Sequence, residues 1–235
     1  MKIMNTKLLS FVFAAIVSIC GLSSCGLDNV DEPESTFSGN IQYKGESLQL
    51  AGTGGQIQLQ LYQPGYELHS PITVYVDQDG HFSAKLFDGD YKLVTKDNNG
   101  PWVNTRDTVG VKVKGNTVYN LEVTPYYLVE KYSIVLNGKQ ATLTFDIKKV
   151  APQAKIAEGI VVLGNTSLVD NKNNVMAISI PASAMKEGAN TFAEQTIPDD
   201  VYNKLKASNK AVARIGVKAE GATEFIFSKL IEIKF

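Results

Sequence analysis

Apolar and polar residues alternate along most of the chain downstream of Thr36, which is the period of a β-strand that buries one face. The clearest runs place apolar residues at every second position: Ile57, Leu59 and Leu61; Ile72, Val74 and Val76; Val109, Val111 and Val113. Turn signals such as Asp79-Gly80 and Asp88-Gly89 separate these runs at short intervals. Many short strands joined by such turns predict an all-β sandwich or barrel.

A second series of strands begins after the segment TPYY, residues 124 to 127. Because Pro125 cannot donate to a central sheet ladder, we expect a domain boundary there, with one domain over residues 36–125 and another over residues 126–235. Alternation predicts the strands of the second domain at Ser133–Leu136, Ala141–Ile147, Ile160–Leu163, Val175–Ile180, Ala211–Val217 and Glu224–Phe235.

One helical segment is expected among these strands, over Pro198–Ser208. Asp199 and Asp200 suit the first turn of such a helix, and Leu205 lies on its short apolar face. Another segment, Ser183–Glu187, would form one turn at most. The pattern therefore predicts two tandem β-sandwiches, with one short helix in the second.

The segment VDQDGHFSAKLFDGDYKLV, residues 76 to 94, carries two linked turn motifs. Its Asp-x-x-Gly-x-Phe and Leu-x-x-Gly-x-Tyr-x-Leu patterns consist of Asp77, Gly80 and Phe82, followed by Leu86, Gly89, Tyr91 and Leu93. This pair resembles the signature of carboxypeptidase-regulatory-like domains, which are small transthyretin-like sandwiches. On physical grounds, the two glycines would supply positive φ in tight hairpins, and the aromatic and leucine residues would face one core.

Further stretches extend a resemblance over most of the chain, namely FSGNIQYKGESL, LYQPGYE, GPW followed by DTVGVKVKGNT, and VTPYY. Together they resemble an uncharacterised two-domain surface lipoprotein family that accompanies outer-membrane glycan importers of the starch-utilisation type. The resemblance implies a transthyretin-like domain followed by an immunoglobulin-like or fibronectin-III-like domain. It also implies polysaccharide capture at the cell surface, beside the importer proteins.

Residues 1–24 have the layout of a lipoprotein signal peptide. Two lysines precede an apolar run, Leu8–Cys20, which is shorter than the roughly 20 residues that a membrane-spanning helix needs. The sequence LSSC that ends at Cys25 resembles a lipobox, so we expect cleavage before Cys25, lipidation of its thiol and an anchor in the outer membrane. Residues 25–35 then form an acidic tether without Lys or Arg, which resembles an export tag for surface lipoproteins.

Composition argues against several classes of function. Removal of residues 1–24 takes away two lysines and no acid, so the net charge changes from 23 − 24 = −1 to 21 − 24 = −3, and no basic patch predicts nucleic-acid binding. The mature chain holds His69, His81 and no cysteine besides Cys25, which leaves little material for acid–base or nucleophilic catalysis. Motifs for catalysis or phosphate binding are also absent, so we expect a non-enzymatic protein without a cofactor.

An acidic cluster lies in the first predicted domain and consists of Asp77, Asp79, Asp88 and Asp90. Carboxylate oxygens of this kind could hold calcium. However, Asp-Gly pairs recur at turns for backbone reasons alone, so the favoured interpretation is a set of turns, and no metal site is predicted.

Sugar binding needs a flat aromatic ring against the pyranose and polar groups for its hydroxyls. The best candidate stretch is DNNGPWVNTRD, in which Trp102, the only tryptophan, is flanked by Asn99, Asn104 and Arg106. The alternative is that Trp102 closes the end of the sandwich, because large aromatic residues are mostly buried.

Tyr62 and Tyr66 bracket a Pro-Gly turn and could add a second aromatic platform, although they could equally cover the turn. The leading hypothesis is an accessory cell-surface lipoprotein that binds or presents glycan. The alternative is a structural spacer or adhesion protein that docks to an outer-membrane complex. Exposure of Trp102, Tyr62 or Tyr66 would favour the first hypothesis, and burial of all three would favour the second.

Overall fold

The computed structural model describes residues 31–65, 70–208 and 210–235. The predicted signal peptide and Cys25 lie outside the described residues, as do Tyr66 and His69. Residues Pro33–Phe235 form one compact unit. Within the described ranges, no helix combines the length and apolar character required to cross a membrane.

Two sheets build the first half of this compact unit. Their strands are β1 (Ser35–Tyr43), β2 (Glu46–Ser47), β3 (Gln58–Tyr62), β4 (Ile72–Tyr75), β5 (His81–Leu86), β6 (Gly89–Thr95), β7 (Val109–Val113), β8 (Asn116–Val118) and β9 (Leu121–Glu122). In one sheet, β1 pairs antiparallel with β2 and β5 and parallel with β8 and β9. The other sheet is antiparallel throughout, in the order β4-β3-β6-β7.

The segment with the two turn motifs spans both sheets. Its predicted core residues are all buried: Phe82, Leu86, Tyr91 and Leu93. Because β5 and β6 belong to different sheets, the residues between them cross the sandwich instead of closing a hairpin. Gly80 has the predicted positive φ of 79°, whereas Gly89 is not among the glycines with positive φ. The prediction of a tight hairpin at Gly89 is therefore wrong.

Two of the clustered aspartates stabilise turns. One carboxylate oxygen of Asp77 accepts hydrogen bonds from the backbone N–H groups of Asp79 and His81, both at 2.9 Å. Asp88 accepts hydrogen bonds from the Ser35 hydroxyl and from the backbone N–H of Gly115, in the turn between β7 and β8. These hydrogen bonds lower the pKa of the Asp88 carboxyl. Among the residues that the structure describes, no group of three or more His, Cys, Asp or Glu side chains is placed to hold a metal ion.

The second half also contains two sheets. Its elements are β10 (Tyr127–Asn137), β11 (Gln140–Lys149), β12 (Ile156–Gly164), β13 (Met176–Pro181), β14 (Gly188–Thr196), α1 (Asp199–Ala207), β15 (Val212–Ala219), β16 (Ile226–Phe227) and β17 (Ile231–Glu232). One sheet has the order β10-β11-β14, and the other has the order β13-β12-β15-β16 with β17 also paired to β15. The prediction of a mostly-β chain of two domains with one short helix is confirmed.

Helix α1 lies within one residue of its predicted limits, with Pro198 and Ser208 flanking it. Asp199 and Asp200 occupy its first turn, where negative charge complements the helix dipole, and Leu205 is its buried residue. Strand β14 was not predicted. It carries no apolar alternation, because its one buried side chain is the polar Asn190.

Arg214 on β15 joins the two halves. Its side chain is completely buried, and its guanidinium donates to the carbonyl oxygens of Leu50 at 2.8 Å, Val169 at 3.2 Å and Ser228 at 3.0 Å. A longer contact of 3.4 Å reaches the Gln78 carbonyl. Burial lowers the pKa of Arg214 to about 10, which still leaves the group charged at neutral pH. One cation therefore binds carbonyl groups of both halves.

Polar contacts around Arg214 reinforce this junction. The buried carboxylate of Asp170 accepts from the backbone N–H groups of Gly52 at 3.0 Å and Thr53 at 2.7 Å. The Gln78 side chain donates to the Ser167 carbonyl at 2.7 Å. Each of these hydrogen bonds links the first half to the second, so a polar network joins the two sandwiches.

Candidate functional site

Trp102, the strongest sequence candidate, lies in the core. Its side chain is 4% exposed, and its backbone forms an isolated bridge with Pro125. The indole also packs closely against Gly100, because a Cβ added to that glycine would lie 2.3 Å from the ring. The structure thus corrects the expectation of an exposed stacking ring: Trp102 closes the end of the first sandwich.

The polar neighbours of Trp102 serve different purposes. Asn99 accepts from the Gln58 backbone N–H and donates to the Gln56 carbonyl, both at 2.7 Å, so its amide ties the loop to β3. Arg106 is exposed and forms a salt bridge of 3.0 Å with Asp97. Asn104 is half-buried beside the indole. The contacts of Asn99 and Arg106 thus brace the loop around Trp102, and a sugar-binding role for these polar residues stays a prediction.

A groove of about 410 Å³ lies on the other side of this loop, and Tyr43, Trp102 and Tyr119 contribute to its walls. Of the two carboxylates in its walls, Asp107 and Glu122, the second is already engaged in hydrogen bonds. That side chain accepts from the backbone N–H groups of Lys44 at 3.0 Å and Gly45 at 3.1 Å, and it thereby holds the turn after β1. Both tyrosines are only half-exposed. The groove has a suitable volume for a small ligand but offers no fully accessible ring.

The outer surface of the sheet β4-β3-β6-β7 faces solvent, and the strand register arranges it in rows. Tyr75 on β4 lies across from Gln58 on β3, and the Lys96 ammonium donates to the Gln58 side-chain oxygen at 2.8 Å. Tyr62, four residues after Gln58 on β3, lies across from Lys92 on β6. Each of these rows therefore contains a tyrosine and a lysine.

A third row lies between these two and contains Gln60, whose side-chain oxygen accepts a long hydrogen bond of 3.5 Å from the Tyr62 hydroxyl. We call this surface the open face, and its members are Gln58, Gln60, Tyr62, Tyr75, Lys92 and Lys96. Strand alternation produces it, since Leu59 and Leu61 point into the core while the residues beside them point outward.

Tyr75 is the accessible ring of the open face. Its side chain is 59% exposed, and it lies in a groove of about 590 Å³ that Asp77, His81 and Ser83 also line. A Cβ added to Gly55 would lie 2.5 Å from the ring. The Tyr75 ring consequently rests on the Gly55 backbone, which fixes its orientation while most of it stays in contact with water.

Sequence reasoning named Tyr62 as a platform beside the Pro-Gly turn, and the structure places it half-buried on this face. The same reasoning missed Tyr75. The signal was present in ITVYV, because Val74 and Val76 are the buried positions of that run and the residue between them must point outward. Tyr66 lies outside the described residues, so its predicted role stays a prediction.

The open face combines an exposed aromatic ring with polar and charged side chains. An exposed ring, amide groups and ammonium groups can stack on a pyranose and hydrogen-bond its hydroxyls. Asp77, a carboxylate in the groove beside Tyr75, uses one oxygen to hold the turn before β5. This combination of groups is chemically able to contact a carbohydrate.

Family models match both halves of the chain. Residues 35–124 match the model described as "Protein of unknown function (DUF3823) N-terminal domain". Residues 127–232 match the one described as "Domain of unknown function (DUF3823_C)". The chain matches no curated protein.

Solved structures show the same architecture. A DUF3823 family protein from Parabacteroides merdae is 40% identical, with a TM-score of 0.80 over 87% of this chain and 100% of that chain. One from Bacteroides ovatus is 34% identical, with a TM-score of 0.73 over 85% of this chain and 98% of that chain. A Bacteroides uniformis protein named "putative carbohydrate binding protein" is 21% identical, with a TM-score of 0.67 over 86% of this chain and 100% of that chain, and shares the fold.

Proposed function

Since this chain belongs to the DUF3823 family, we propose that it is a non-enzymatic, cell-surface lipoprotein that binds glycan through its open face, as an accessory to polysaccharide utilisation. The observation that carries the proposal is Tyr75, an exposed ring fixed in orientation by Gly55 beside hydrogen-bonding side chains. The name of the Bacteroides uniformis relative agrees with this choice of ligand.

The energetics favour a polymer over a single sugar. A pyranose that covers about 50 Å² of apolar ring surface gains only about 1 kcal/mol from that contact. Several such contacts along one chain add up, because the second contact is made at high effective concentration. A ligand that extends from Tyr75 toward Tyr62 would use this effect.

Replacing Tyr75 with alanine tests the proposal. In a chain that begins at Gly26 and keeps the whole compact unit, we expect Tyr75→Ala to weaken retention of the preferred polysaccharide about tenfold, which corresponds to about 1.4 kcal/mol. Because the side chain is exposed, the free energy of unfolding should change by less than about 0.5 kcal/mol. Affinity electrophoresis against a panel of polysaccharides measures the first effect, and chemical denaturation measures the second.

Phe87→Ala is the matched control, because Phe87 is also an exposed aromatic residue, at 47%, but lies on the crossing between the two sheets. Its retention should equal that of the unmodified chain. Equal weakening by both substitutions would refute a site at Tyr75. If no polysaccharide is retained by the unmodified chain, the spacer or adhesion hypothesis replaces glycan binding.

The cellular location rests on Cys25 and is tested separately. We expect Cys25→Ala to release the protein from the membrane fraction, because the change removes the thiol that would carry the lipid. A matched Ser23→Ala change leaves a small residue before the cysteine and should leave the protein in the membrane fraction. Retention of the Cys25→Ala protein in membranes would refute the anchor. Protease treatment of intact cells would show whether the anchored protein faces outward.

A further inference from the structure

The open face repeats one arrangement at two positions. Tyr75 and Lys96 flank Gln58 in the first row, and Tyr62 lies across from Lys92 in the second. The rows are four residues apart along the strands, which corresponds to about 13 Å at a rise of about 3.3 Å per residue. A protein surface that repeats its contacts suits a ligand that repeats its groups.

The two lysines of these rows lack acidic partners. Among the described residues, no carboxylate lies within salt-bridge distance of Lys92 or Lys96, although other lysines of the chain form such pairs. The third lysine of this sheet surface, Lys112, lies directly across from Asp90 on the neighbouring strand. Lys92 and Lys96 are therefore free of salt bridges to the described residues, and Lys112 lies outside the two tyrosine rows.

The position of Lys96 is also defined. Its ammonium donates to Gln58, and the same Gln58 side chain donates to the Gly55 carbonyl at 3.0 Å. Gly55 is the residue that supports the Tyr75 ring. One chain of contacts thus holds the ring and the ammonium group next to each other, so that a sugar stacked on the ring would bring its substituents to the cation.

We propose that the ligand of the open face is an anionic polysaccharide, whose carboxylate or sulfate groups pair with Lys92 and Lys96 while its pyranose rings contact Tyr62 and Tyr75. This inference rests on the proposed glycan binding and specifies its substrate class. An ammonium group pairs with either kind of anion, since it acts as a point charge and does not demand one geometry. The polysaccharide lies along β3 and β6, from one tyrosine row to the other.

Matched pairs of polysaccharides test the inference. Polygalacturonate is compared with its fully methyl-esterified form, which has the same backbone without the charge, and chondroitin sulfate is compared with desulfated chondroitin. Desulfated chondroitin keeps its uronate carboxylates, so only sulfate differs within that pair. We expect the chain from Gly26 to be retained by the more highly charged member of at least one pair and much less by its modified partner. The first pair reports carboxylate recognition, and the second reports sulfate recognition. Added salt should weaken binding, because exposed charges are screened.

Lysine variants test where the anionic groups bind. We expect Lys92→Gln and Lys96→Gln each to lower the affinity about threefold, and the double variant to lower it about tenfold, as for exposed ion pairs. Lys112→Gln is the control, because it removes the same charge from the same sheet outside the two tyrosine rows, and its affinity should be unchanged. Equal weakening by all three changes would show a diffuse charge effect and overturn the assignment.

The results separate this inference from the proposed function. Retention by neutral polysaccharides, sensitive to Tyr75→Ala but not to the lysine changes, would overturn the anionic ligand and keep glycan binding. Absence of retention by every polysaccharide would overturn both. Oligosaccharides too short to reach from one row to the other should bind less tightly than longer ones. Equal affinity at all lengths would contradict the two-row arrangement.

Discussion

Replacement of Arg214 by methionine should destabilise the protein by about 3–5 kcal/mol, because methionine fills much of the volume but donates no hydrogen bond. The change leaves buried carbonyl oxygens of Leu50, Val169 and Ser228 without their donor. An unsatisfied buried acceptor costs about 1–3 kcal/mol, and part of that loss can be recovered if water enters. Against a total stability of about 5–15 kcal/mol, the change is large. Chemical denaturation of both proteins measures it.

The only other arginine of the chain supplies the control. Arg106 is exposed and forms one surface salt bridge with Asp97, so Arg106→Met should change the free energy of unfolding by less than about 1 kcal/mol. If Arg214→Met were as stable as Arg106→Met, the buried guanidinium would not hold the two sandwiches together. A separate early unfolding transition in the Arg214 variant would show that this residue couples the two halves.

The second large effect is expected at Trp102. Its truncation to alanine should lower the free energy of unfolding by about 3–5 kcal/mol, because a buried tryptophan is replaced by a cavity between Gly100 and Pro125. Denaturant-induced unfolding followed by tyrosine fluorescence and circular dichroism checks this value. Weaker glycan retention by this variant would follow from partial unfolding and would not locate a binding site.

Trp102→Phe separates packing from sugar contact. Phenylalanine keeps an aromatic ring in the core, so we expect it to recover part of the stability lost in the alanine variant and to retain glycan normally. A Trp102→Ala protein as stable as the unmodified chain would contradict the structure, in which the indole is almost fully buried.

Strand alternation was a reliable guide for β3, although it missed the mostly exposed β14. Leu59 and Leu61 on β3 are buried as predicted, and the residues between them face outward. Alternation says less about β15, where residues on both faces are buried because the strand lies between the core of its own sandwich and the first half of the chain. Arg214 lies in that strand, so its role could not be predicted from its neighbours.

Long-range contacts account for the other features that the sequence did not predict. Arg214 reaches Leu50 over 164 residues of sequence, and no local pattern encodes that contact. The accessibility of Trp102 likewise depends on packing between distant segments, so a loop-like sequence was compatible with either an exposed or a buried ring. Tyr75 differs from Trp102, because local alternation is enough to place it on the surface. Its support by Gly55, however, depends on a turn some twenty residues earlier in the chain.

The measurement that tests the open face most directly is nuclear magnetic resonance of isotopically labelled tyrosine during titration with the retained polysaccharide. The chain has ten tyrosines, and single Tyr→Phe variants assign their ring signals. We predict that the signals of Tyr75 and Tyr62 shift with ligand concentration while those of Tyr43 and Tyr119 stay in place. Shifts at Tyr43 and Tyr119 with none at Tyr75 would contradict the account and place the ligand in the groove beside Trp102.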